Sequence, residues 1–390
     1  MKILMVSSYL PYPLLSGGNI RLYNLLRIIS QKHKVTLICE KRENQTEEDV
    51  KEIEKICEKV ITVHRKKQWS AINILKTGFS KNPFLITGHQ SQEMTKKIKE
   101  ELEKEKYDLI HVETFYVMQN LPDTLIPVVL VEHNIEYLAY KRFVDKSPIF
   151  VKPLLYLDII KLKNIEQFYW EKATKLVAVS NIEKNLMLRN DVSVVPNGVD
   201  FNKFKFQEME EKFFEKEKRI LFIGDFKWMQ NRDAVSFIIN KIWPLVSSKS
   251  DIKLWIVGRN MPQNLKSLTA DKNVIFDDQN RDKTEDIYKR SFLLLAPIRV
   301  GGGTSYKVLE AMATGTAVVT TNLGIEGLEA KNGVHVLATE DSESIANNIL
   351  KLLDDKRLYE SLTENARKFV EENYSWEKIA DKLERVYLSV

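Results

Sequence analysis

One stretch, residues 291–323, constrains the fold more than any other part of this sequence. It opens with an apolar run at 292–296 that has the length and composition of a buried strand, and it then breaks at three consecutive glycines, 301–303. A helix is predicted to follow, and Gly315 ends that helix before a second apolar strand at 317–321. The stretch therefore predicts a unit of strand, glycine loop, helix and strand.

The glycine loop has a composition that suits phosphate binding. Glycines let a backbone approach a ligand closely, and the first turn of a helix offers unpaired N–H groups. Lys307 and Glu310 lie three residues apart, so they share a face of the predicted helix. A cation there could meet a diphosphate, and a carboxylate could accept hydrogen bonds from sugar hydroxyls. The alternative is a simple turn followed by a solvated helical face. The stretch alone does not distinguish this alternative from a phosphate-binding loop, so evidence from the rest of the chain is needed.

Length and composition indicate a globular protein with room for two cores. The chain has 390 residues, of which 44% are apolar and 29% are charged. Its two cysteines, Cys39 and Cys57, form neither a disulfide framework nor a metal-type spacing, which favours a reducing cytoplasm. The N-terminus is interpreted as a first strand and not as a signal peptide. No apolar stretch reaches the roughly 18 to 20 residues that span a bilayer.

The positive charge of the chain is concentrated in its first half. Residues 1–200 contain 30 Lys and Arg against 25 Asp and Glu, whereas residues 201–390 contain 29 of each. Such a bias is compatible with peripheral contact with an anionic membrane, but proteins that touch no membrane share it. The predicted helix at 152–175 mixes lysines with large apolar residues, so it either lies on a membrane or packs on its own sheet. Basic residues interleaved with aromatics do not form one face, which argues against a nucleic-acid partner.

Two successive series of alternating strands and helices predict two doubly wound, Rossmann-like α/β domains. Each series opens with a strand, KILMVSS at residue 2 and RILFIGD at residue 219, and each has glycines after it. Gly17 and Gly18 are expected in a loop, after which Asn19 is predicted to cap the first helix. Further strands are predicted at 128–132 in the first series and at 334–337 in the second. The predicted domains are residues 1–200 and 219–374, joined by a charge-dense linker at 201–218. The helix at about 375–390 is predicted to pack back on the first domain. The first turn lacks the full G-x-G-x-x-G signature, which argues against a nicotinamide dehydrogenase.

Several candidate ligand-binding residues come directly after predicted strands. Because ligands of doubly wound sheets bind beyond the carboxyl ends of the strands, we expect these residues to line one interdomain cleft. They are Gly17, Gly18, His133, Gly224, Arg259, Asp278 and the glycines 301–303.

Taken together, these residues give the sequence a resemblance to a known family. It resembles the GT-B glycosyltransferases, and among them the retaining family 4 that includes many bacterial exopolysaccharide and lipopolysaccharide enzymes. The resemblance runs nearly end to end, and it depends on strings whose order and spacing match. These are SGGNIRLYNLL at 16, VEHN at 131, VVPNGVD at 194, FIGDFKWMQNRDAV at 222, IVGRN at 256, GGGTSYKVLEAMATGTAVVTT at 301 and YSWEKI at 374.

The resemblance assigns roles to the organising stretch. Glu310 matches the second Glu of the family's E-x7-E motif, which implies that it binds the ribose hydroxyls of the donor. The first Glu of that motif would fall at position 302, where this chain has Gly302. Gly303 and Thr304 match the amides that approach the donor phosphate or sugar. The missing carboxylate leaves the identity of the donor sugar open.

The resemblance also implies roles for the loop cations and for the first domain. The family's diphosphate-binding Arg and Lys would fall at Asp225 and about Asn231, so other cations must replace them. His133 matches a family histidine near the donor sugar, although a structural histidine at a strand end is the alternative. Glu113 is a candidate for contact with the acceptor. The predicted catalytic residues are thus His133, Lys307 and Glu310, and the predicted donor-binding residues are Gly17, Gly18, Gly224, Lys227, Asn231, Arg259, Asp278, Arg299, Gly303 and Thr304.

The sequence therefore predicts a cytoplasmic glycosyltransferase, peripheral at the inner face of the plasma membrane if it contacts a membrane at all. It would move a sugar from a nucleotide diphosphate sugar to a hydroxyl of a glycan or lipid-linked acceptor, without a metal or other cofactor and, by family only, with retention. Two alternatives stay open. One is a nucleotide-sugar 2-epimerase of the same fold, and the other is a non-catalytic partner subunit, suggested by Gly302 and the missing loop cations.

Overall fold

The computed structural model describes residues 1–65, 73, 77, 80–145, 147–280, 282–300 and 304–390. The chain divides into two compact units. The first consists of Met1–Pro196 together with Trp376–Val390, and the second consists of Asn197–Ser375. Each unit contains one parallel sheet with its own hydrophobic core.

The first unit is built on a seven-stranded parallel sheet with the order β3-β2-β1-β4-β5-β6-β7. Its central strands are buried on both faces, which explains why they are mostly apolar and do not alternate between apolar and polar residues, although β4 also contains the buried His111 and Glu113. The strands are β1 Lys2–Ser7, β2 Lys34–Lys41, β3 Lys59–His64, β4 Leu109–Glu113, β5 Val128–Glu132, β6 Lys175–Ala178 and β7 Ser193–Val194.

Helices connect these strands, as parallel neighbours require. The described helices of this part of the chain are α1 Gly17–Ile29, α2 Glu47–Glu54, α3 Phe84–Thr87, α4 Gln92–Lys104, α5 Glu136–Asp145, α6 Lys152–Lys172 and α7 Asn181–Leu186. A 3-10 turn at Phe115–Asn120 follows β4. None of the helices that the structure describes is both long enough and apolar enough to cross a membrane.

The second unit is built on a six-stranded parallel sheet with the order β10-β9-β8-β11-β12-β13. Its strands are β8 Arg219–Ile223, β9 Lys253–Val257, β10 Val274–Asp277, β11 Leu293–Ala296, β12 Ala317–Thr320 and β13 Leu337–Ala338. The order reverses beside β8, between β8 and β11, which is the kind of point at which doubly wound sheets bind ligands.

The described helices of the second unit are α8 Met209–Phe213, α9 Met229–Phe237, α10 Trp243–Ser247, α11 Gln263–Lys266, α12 Thr284–Lys289, α13 Tyr306–Ala313, α14 Ser342–Asp354 and α15 Lys356–Asn373. A π-helical turn, Ile238–Ile242, joins α9 to α10, and a 3-10 turn forms at Leu323–Ile325. The last helix of the chain, α16 Trp376–Tyr387, belongs to the first unit, where it packs on α1.

The segment 201–218 is not the linker that its charge density predicted. It belongs to the second unit, and it contains α8. Met209 packs in the core of that unit, and the side chain of Lys212 is fully buried. The amine of Lys212 donates to the backbone oxygens of Tyr288 and Ser291, at 2.7 and 3.0 Å. The prediction was wrong because it treated every lysine and glutamate as solvated.

The other differences concern the ends of elements. The last strand was predicted at 334–337, but β13 is a short strand at Leu337–Ala338. Helix α1 begins at Gly17 and is capped by Ser16, whereas Asn19 was the predicted cap. The hydroxyl oxygen of Ser16 accepts the N–H of Asn19 at 3.3 Å. Gly17 and Gly18 are therefore the first turn of a helix and not a preceding loop.

Candidate functional site

His133 follows β5 directly, and it lies at the carboxyl edge of the first sheet. Its Nε2 atom is 2.5 Å from Oε1 of Glu113, which is the last residue of the adjacent strand β4. About a fifth of the His133 side chain is exposed, whereas Glu113 is fully buried. The histidine is therefore accessible from one side while a carboxylate holds it from the other.

Glu113 is the centre of a buried chain of polar side chains. Its second oxygen, Oε2, is 2.7 Å from Nε2 of His111, and Nδ1 of His111 is 2.6 Å from the hydroxyl of Tyr387 in α16. The guanidinium of Arg21 approaches Oε1 of Glu113 with its Nε atom at 3.7 Å. Burial alone would raise the pKa of Glu113, but the charge of His133 and the hydrogen bonds from His111 and His133 hold the pKa below its ordinary value.

The direction of each hydrogen bond in this chain follows from the ionised carboxylate. A carboxylate can only accept, so Nε2 of His133 and Nε2 of His111 must both donate to Glu113. Burial and the charge of Glu113 raise the pKa of Tyr387 well above its ordinary value, so its hydroxyl keeps its proton and donates to Nδ1 of His111. The network thus leaves Nδ1 of His133 as the nitrogen that Glu113 does not engage.

Gly18, in the first turn of α1, packs beside His133. A Cβ atom at Gly18 would lie 3.1 Å from the hydroxyl of Tyr9 and 3.6 Å from Cε1 of His133. The hydroxyl of Tyr9 donates to the backbone oxygen of Gly18 at 3.3 Å. The start of α1, with Gly17 and Gly18, and the His133 ring thus form one site in the first unit, with helix N–H groups next to an imidazole.

The buried position of Glu113 contradicts its predicted contact with an acceptor. The side chain has no exposed surface, so it can act only through His133. His111, Arg21 and Tyr387 were not predicted to be site residues. The sequence did contain a signal for His111, because residues two apart in a strand share a face and His111 and Glu113 have that spacing. It contained none for Tyr387, which lies 276 residues further along the chain.

In the second unit, Lys307 lies in the first turn of α13 and reaches back toward β8. Its amine donates to Oδ1 of Asn231 at 2.9 Å, and it lies 4.5 Å from the centroid of the Phe222 ring. Burial lowers the pKa of Lys307 to about 8, although the charge of Glu310 acts to raise it. The contacts that hold this cation are thus a neutral amide oxygen and a ring face, so it keeps capacity for an anion.

Glu310 lies one turn after Lys307 on α13. Its Oε2 atom accepts the hydroxyl of Tyr288 at 3.0 Å, and that hydroxyl is also 3.2 Å from the backbone oxygen of Lys307. Burial raises the pKa of Glu310 to about 7, while the Tyr288 hydrogen bond and the charges of Lys203 and Lys307 act to lower it. The predicted cation and carboxylate are therefore brought together, each oriented by a residue from another element.

Asn231 was predicted to bind the donor, but both ends of its amide are engaged within the protein. Its Nδ2 atom donates to the backbone oxygen of Asp225 at 2.8 Å, while Oδ1 accepts from Lys307. Gly224 makes this possible, because a Cβ atom there would lie 2.7 Å from Nδ2 of Asn231. Asn231 and Gly224 thus act in this structure as positioning residues for the loop and for Lys307.

Two of the remaining predicted cations, Arg299 and Arg259, are close to carboxylates. Arg299 makes a two-pronged ion pair with Asp233, at 2.9 and 3.2 Å, and stacks on Phe237 with its guanidinium carbon 4.0 Å from the ring centroid. Arg259 lies 3.6 Å from the carboxylate of Asp225. Lys227 is exposed in the same loop as Asp225. Lys307 differs from these two arginines, because its amine donates to the neutral amide of Asn231.

Asp278 and the glycine loop complete the comparison with the predicted site. Asp278, predicted to bind the donor, forms an ion pair with Lys266 of α11 at 2.5 Å. The glycines 301–303, including Gly302 and the predicted donor-binding Gly303, lie outside the described residues. Thr304 is described, and its buried hydroxyl has no hydrogen-bond partner within the described part of the chain. Such an atom at the start of α13 is available to a ligand.

The described residues contain no group of three or more His, Cys, Asp or Glu side chains that could hold a metal ion. The prediction that no metal takes part stays a prediction, as do the functional roles of the individual site residues. The expectation that both sets of residues line one cleft also stays a prediction.

Comparison with known proteins identifies the kind of protein. The Anabaena protein HepE, solved in complex with UDP and glucose, has a fold similar to that of this chain, with a TM-score of 0.66, 15% identity and complete coverage of both chains. Residues 15–203 match the family model described as Glycosyltransferase Family 4. Residues 217–355 match the model described as Glycosyl transferases group 1. The chain is a GT-B glycosyltransferase.

Sequence relatives of this glycosyltransferase align with most of its length. An uncharacterized 44.6 kDa protein in the cps region of Klebsiella pneumoniae is 26% identical and covers 97% of each chain. An Escherichia coli enzyme, UDP-Gal:alpha-D-GlcNAc-diphosphoundecaprenol alpha-1,3-galactosyltransferase, is 24% identical over 74% of this chain and 77% of its own.

The two family matches divide between the two candidate sites of the glycosyltransferase. The family 4 match contains His133 and Glu113, and the group 1 match contains Lys307 and Glu310. The resemblance predicted from sequence is confirmed, and so are the GT-B fold and the transferase class.

Proposed function

We propose that this glycosyltransferase moves a sugar from a nucleotide diphosphate sugar to a hydroxyl of a glycan or lipid-linked acceptor in cell-envelope polysaccharide synthesis. The proposal is supported by the two family matches and by the names of relatives such as the galactosyltransferase that uses UDP-Gal. The observation on which it depends most is the pairing of Lys307 and Glu310 at the start of α13.

Lys307 is proposed to stabilise the diphosphate as it departs. When the bond between the anomeric carbon and the diphosphate oxygen breaks, negative charge grows on that oxygen, and a preorganised cation next to a helix start lowers the barrier. The amine of Lys307 is already oriented by Asn231, so little reorganisation is needed. Its pKa of about 8 would rise on contact with the anion, which favours the charged form in the complex.

Glu310 is proposed to accept hydrogen bonds from the ribose hydroxyls of the donor, with Tyr288 fixing the direction of its carboxyl group. His133, held by Glu113, is proposed to contact the sugar or the phosphate through Nδ1 and the adjacent start of α1. The acceptor hydroxyl then attacks the anomeric carbon from the face that the diphosphate leaves, and its proton passes to the departing diphosphate. Retention of configuration and the absence of a metal are part of the proposal.

The acceptor is proposed to be lipid-linked, and the enzyme is proposed to work in contact with the inner face of the plasma membrane. The support for this part is the diphosphoundecaprenol acceptor in the name of the Escherichia coli relative and the basic bias of residues 1–200.

Replacing Lys307 or Glu310 with Ala tests the site assignment. A thermal-shift screen of nucleotide diphosphate sugars first identifies a donor, because a ligand that binds only the folded state raises the melting temperature. We expect each variant to transfer sugar at least about a hundredfold more slowly than the wild type, since each removes an interaction aimed at the donor. Nucleoside diphosphate release is measured with and without acceptor, and circular dichroism checks that the fold is kept.

Lys368→Ala is the matched control, since Lys368 is an exposed lysine on α15 of the same unit. Wild-type turnover by both site variants would rule out the assigned site. Conversion of the donor into another nucleotide sugar without acceptor would replace transfer with epimerisation. Failure of every nucleotide sugar to bind would instead support a non-catalytic partner subunit.

A further inference from the structure

Helix α6 exposes apolar side chains on the face that points away from its own sheet. Its inner face packs into the first unit through buried residues that include Ile159, Leu162 and Trp170. Leu154, Leu157 and Ile160 recur every three residues on the opposite face, and all three are exposed. The sequence left two alternatives for this helix, packing on its own sheet and lying on a membrane. In the structure, α6 has one apolar face that packs on the core and a second apolar face that is exposed.

The exposed apolar surface continues beyond α6. We define the α5–α6 apolar patch as Phe143, Ile149, Phe150, Leu154, Leu157 and Ile160, with Ile149 and Phe150 exposed by 84% and 80%. These six residues fall within 18 consecutive positions, from the end of α5 to the middle of α6. In the described part of the second unit, the exposed large apolar residues are scattered singly along the chain, as in most proteins. Exposed apolar residues grouped in this way, on two helices that pack together, indicate a binding surface.

The charges around the patch indicate its partner. Residues 137–164 contain six Lys and Arg but only two Asp and Glu, which is a net charge of +4 out of the +5 of the whole chain. Of the two acidic residues, Asp158 is buried and accepts the backbone N–H of Phe84, so it does not face the surface. Exposed basic side chains, among them Lys141, Arg142 and Lys163, flank the apolar residues. Large apolar residues with a basic rim are the features of a helix that lies in the interface of an anionic bilayer.

We propose that the α5–α6 apolar patch docks on the surface of an anionic lipid bilayer, with its apolar side chains in the headgroup region and its basic side chains at the phosphates. A second copy of this chain is less favoured as the partner, because a self-interface would bring two strongly basic rims together. The inference deepens the proposed function, since it rests on a lipid-linked acceptor as the reason for membrane contact.

The patch is tied firmly to the candidate site of the first unit. Helix α5 begins at Glu136, three residues after His133. Glu166 of α6 accepts the backbone N–H groups of Glu136 and Tyr137, at 2.8 and 3.0 Å, and so caps α5. Trp170 of α6 donates to Glu132, the last residue of β5, at 3.2 Å. A bilayer that holds the two helices would therefore orient the end of β5, where His133 lies, toward lipid-linked molecules.

Vesicle flotation tests the proposal with the full-length protein. Vesicles of equal parts phosphatidylglycerol and phosphatidylcholine are compared with vesicles of phosphatidylcholine alone. We expect the wild type to float with the anionic vesicles and to be released by high salt, because screening weakens the basic contacts. The triple variant Phe150→Ser, Leu154→Ser, Leu157→Ser should bind anionic vesicles at least about tenfold more weakly, since it loses the apolar contacts.

The matched control is Leu125→Ser, Leu188→Ser, Leu388→Ser, which removes three leucines that are exposed but outside the patch. This control should float like the wild type. Equal flotation of the patch variant and the control would overturn the proposal, as would a wild type that binds no vesicle. Sedimentation without vesicles gives a further outcome: a wild-type dimer that only the patch variant dissociates would show a self-interface instead of a membrane surface.

Transfer to a water-soluble acceptor separates this inference from the proposed function. The patch variant should keep wild-type transfer to the soluble acceptor while losing transfer to a lipid-linked acceptor in anionic vesicles. Flotation without transfer from any nucleotide sugar would contradict the proposed function and leave the docking surface supported. Transfer of sugar without flotation would support the proposed function and contradict the docking surface.

Discussion

Glu113 of the first unit and Lys212 of the second are both buried ionisable side chains, and their surroundings hold them in opposite ways. Glu113 of the first unit contacts two histidines and the guanidinium of Arg21, and its pKa is held below the ordinary value in spite of burial. Lys212 of the second unit donates to neutral oxygens, among them those of Tyr288, Ser291 and Thr316. Burial lowers the pKa of Lys212 to about 7, although Glu215 and Glu211 act to raise it.

The difference shows that the charge of the neighbouring groups, and not burial alone, decides whether a buried side chain stays ionised. Glu113 stays ionised over the whole physiological range, so it is a permanent electrostatic anchor for His133. Burial disfavours the charged form of Lys212, and its hydrogen bonds connect α8 to the segment before β11. We therefore expect Glu113 to affect catalysis and stability together, and Lys212 to affect the pH dependence of stability alone.

The largest effect is expected from Glu113→Ala. The substitution leaves two histidines and Arg21 around a buried void, and removing one partner of a buried charge network typically lowers the free energy of unfolding by about 3 to 5 kcal/mol. Transfer should fall as well, because His133 loses its anchor. Urea denaturation and the rate of nucleoside diphosphate release measure the two effects.

Glu113→Gln is the companion variant, since it keeps the shape and one acceptor oxygen. It should fold more stably than Glu113→Ala, and its pH–rate profile should differ from that of the wild type because the carboxylate no longer fixes which nitrogen of His133 carries the proton. A Glu113→Ala protein with wild-type stability and turnover would show that the buried network has no role.

The second prediction concerns Lys212→Met and the alkaline side of the stability profile. The pKa of Lys212 is about 7 in the folded state and near the ordinary lysine value of 10.5 in the unfolded state. Between these values the unfolded state binds more protons, so the contribution of Lys212 makes stability rise with pH across that window. Lys212→Met should remove this rise, with a difference of about 1.4 kcal/mol for each pKa unit of the shift.

Denaturation at pH 7 and at pH 9.5 measures the slope for the wild type, for Lys212→Met and for the exposed-lysine control Lys368→Met. Only Lys212→Met should lose stabilisation at the higher pH relative to the wild type. Parallel profiles for all three proteins would mean that Lys212 is not buried in solution.

Local patterns in the sequence were sufficient to predict most of the fold. Residues 128–132, predicted as a strand from their apolar run, form β5 with the same bounds. The spacing of Lys307 and Glu310 placed them correctly on one helix after the glycines, because helical periodicity is a local property. The start of α1 was misplaced by three residues, since Ser16 and Asn19 are both good caps and the sequence does not rank them.

Contacts over long sequence distances account for what could not be predicted. Asn231 was identified as a ligand residue, but its amide is used by Asp225 and by Lys307, 76 residues away. Lys212 was considered part of a solvated linker, because nothing near it in sequence shows that backbone oxygens from 288 to 291 surround its amine. In both cases the role of the residue is determined by tertiary contacts, which the local sequence pattern does not show.

The smallest effect is expected from Tyr387→Phe, at the far end of the Glu113 network. The variant removes the hydroxyl that donates to Nδ1 of His111 and keeps the ring, which packs against that imidazole with centroids 5.8 Å apart. One buried hydrogen bond is lost, so we expect a drop of about 1 to 3 kcal/mol in the free energy of unfolding. The direct contact between Glu113 and His133 remains, so kcat should fall far less than in Glu113→Ala, with KM for the donor unchanged. If Tyr387→Phe lowered kcat as much as Glu113→Ala, the hydroxyl of α16 and not the carboxylate would be the group that controls His133.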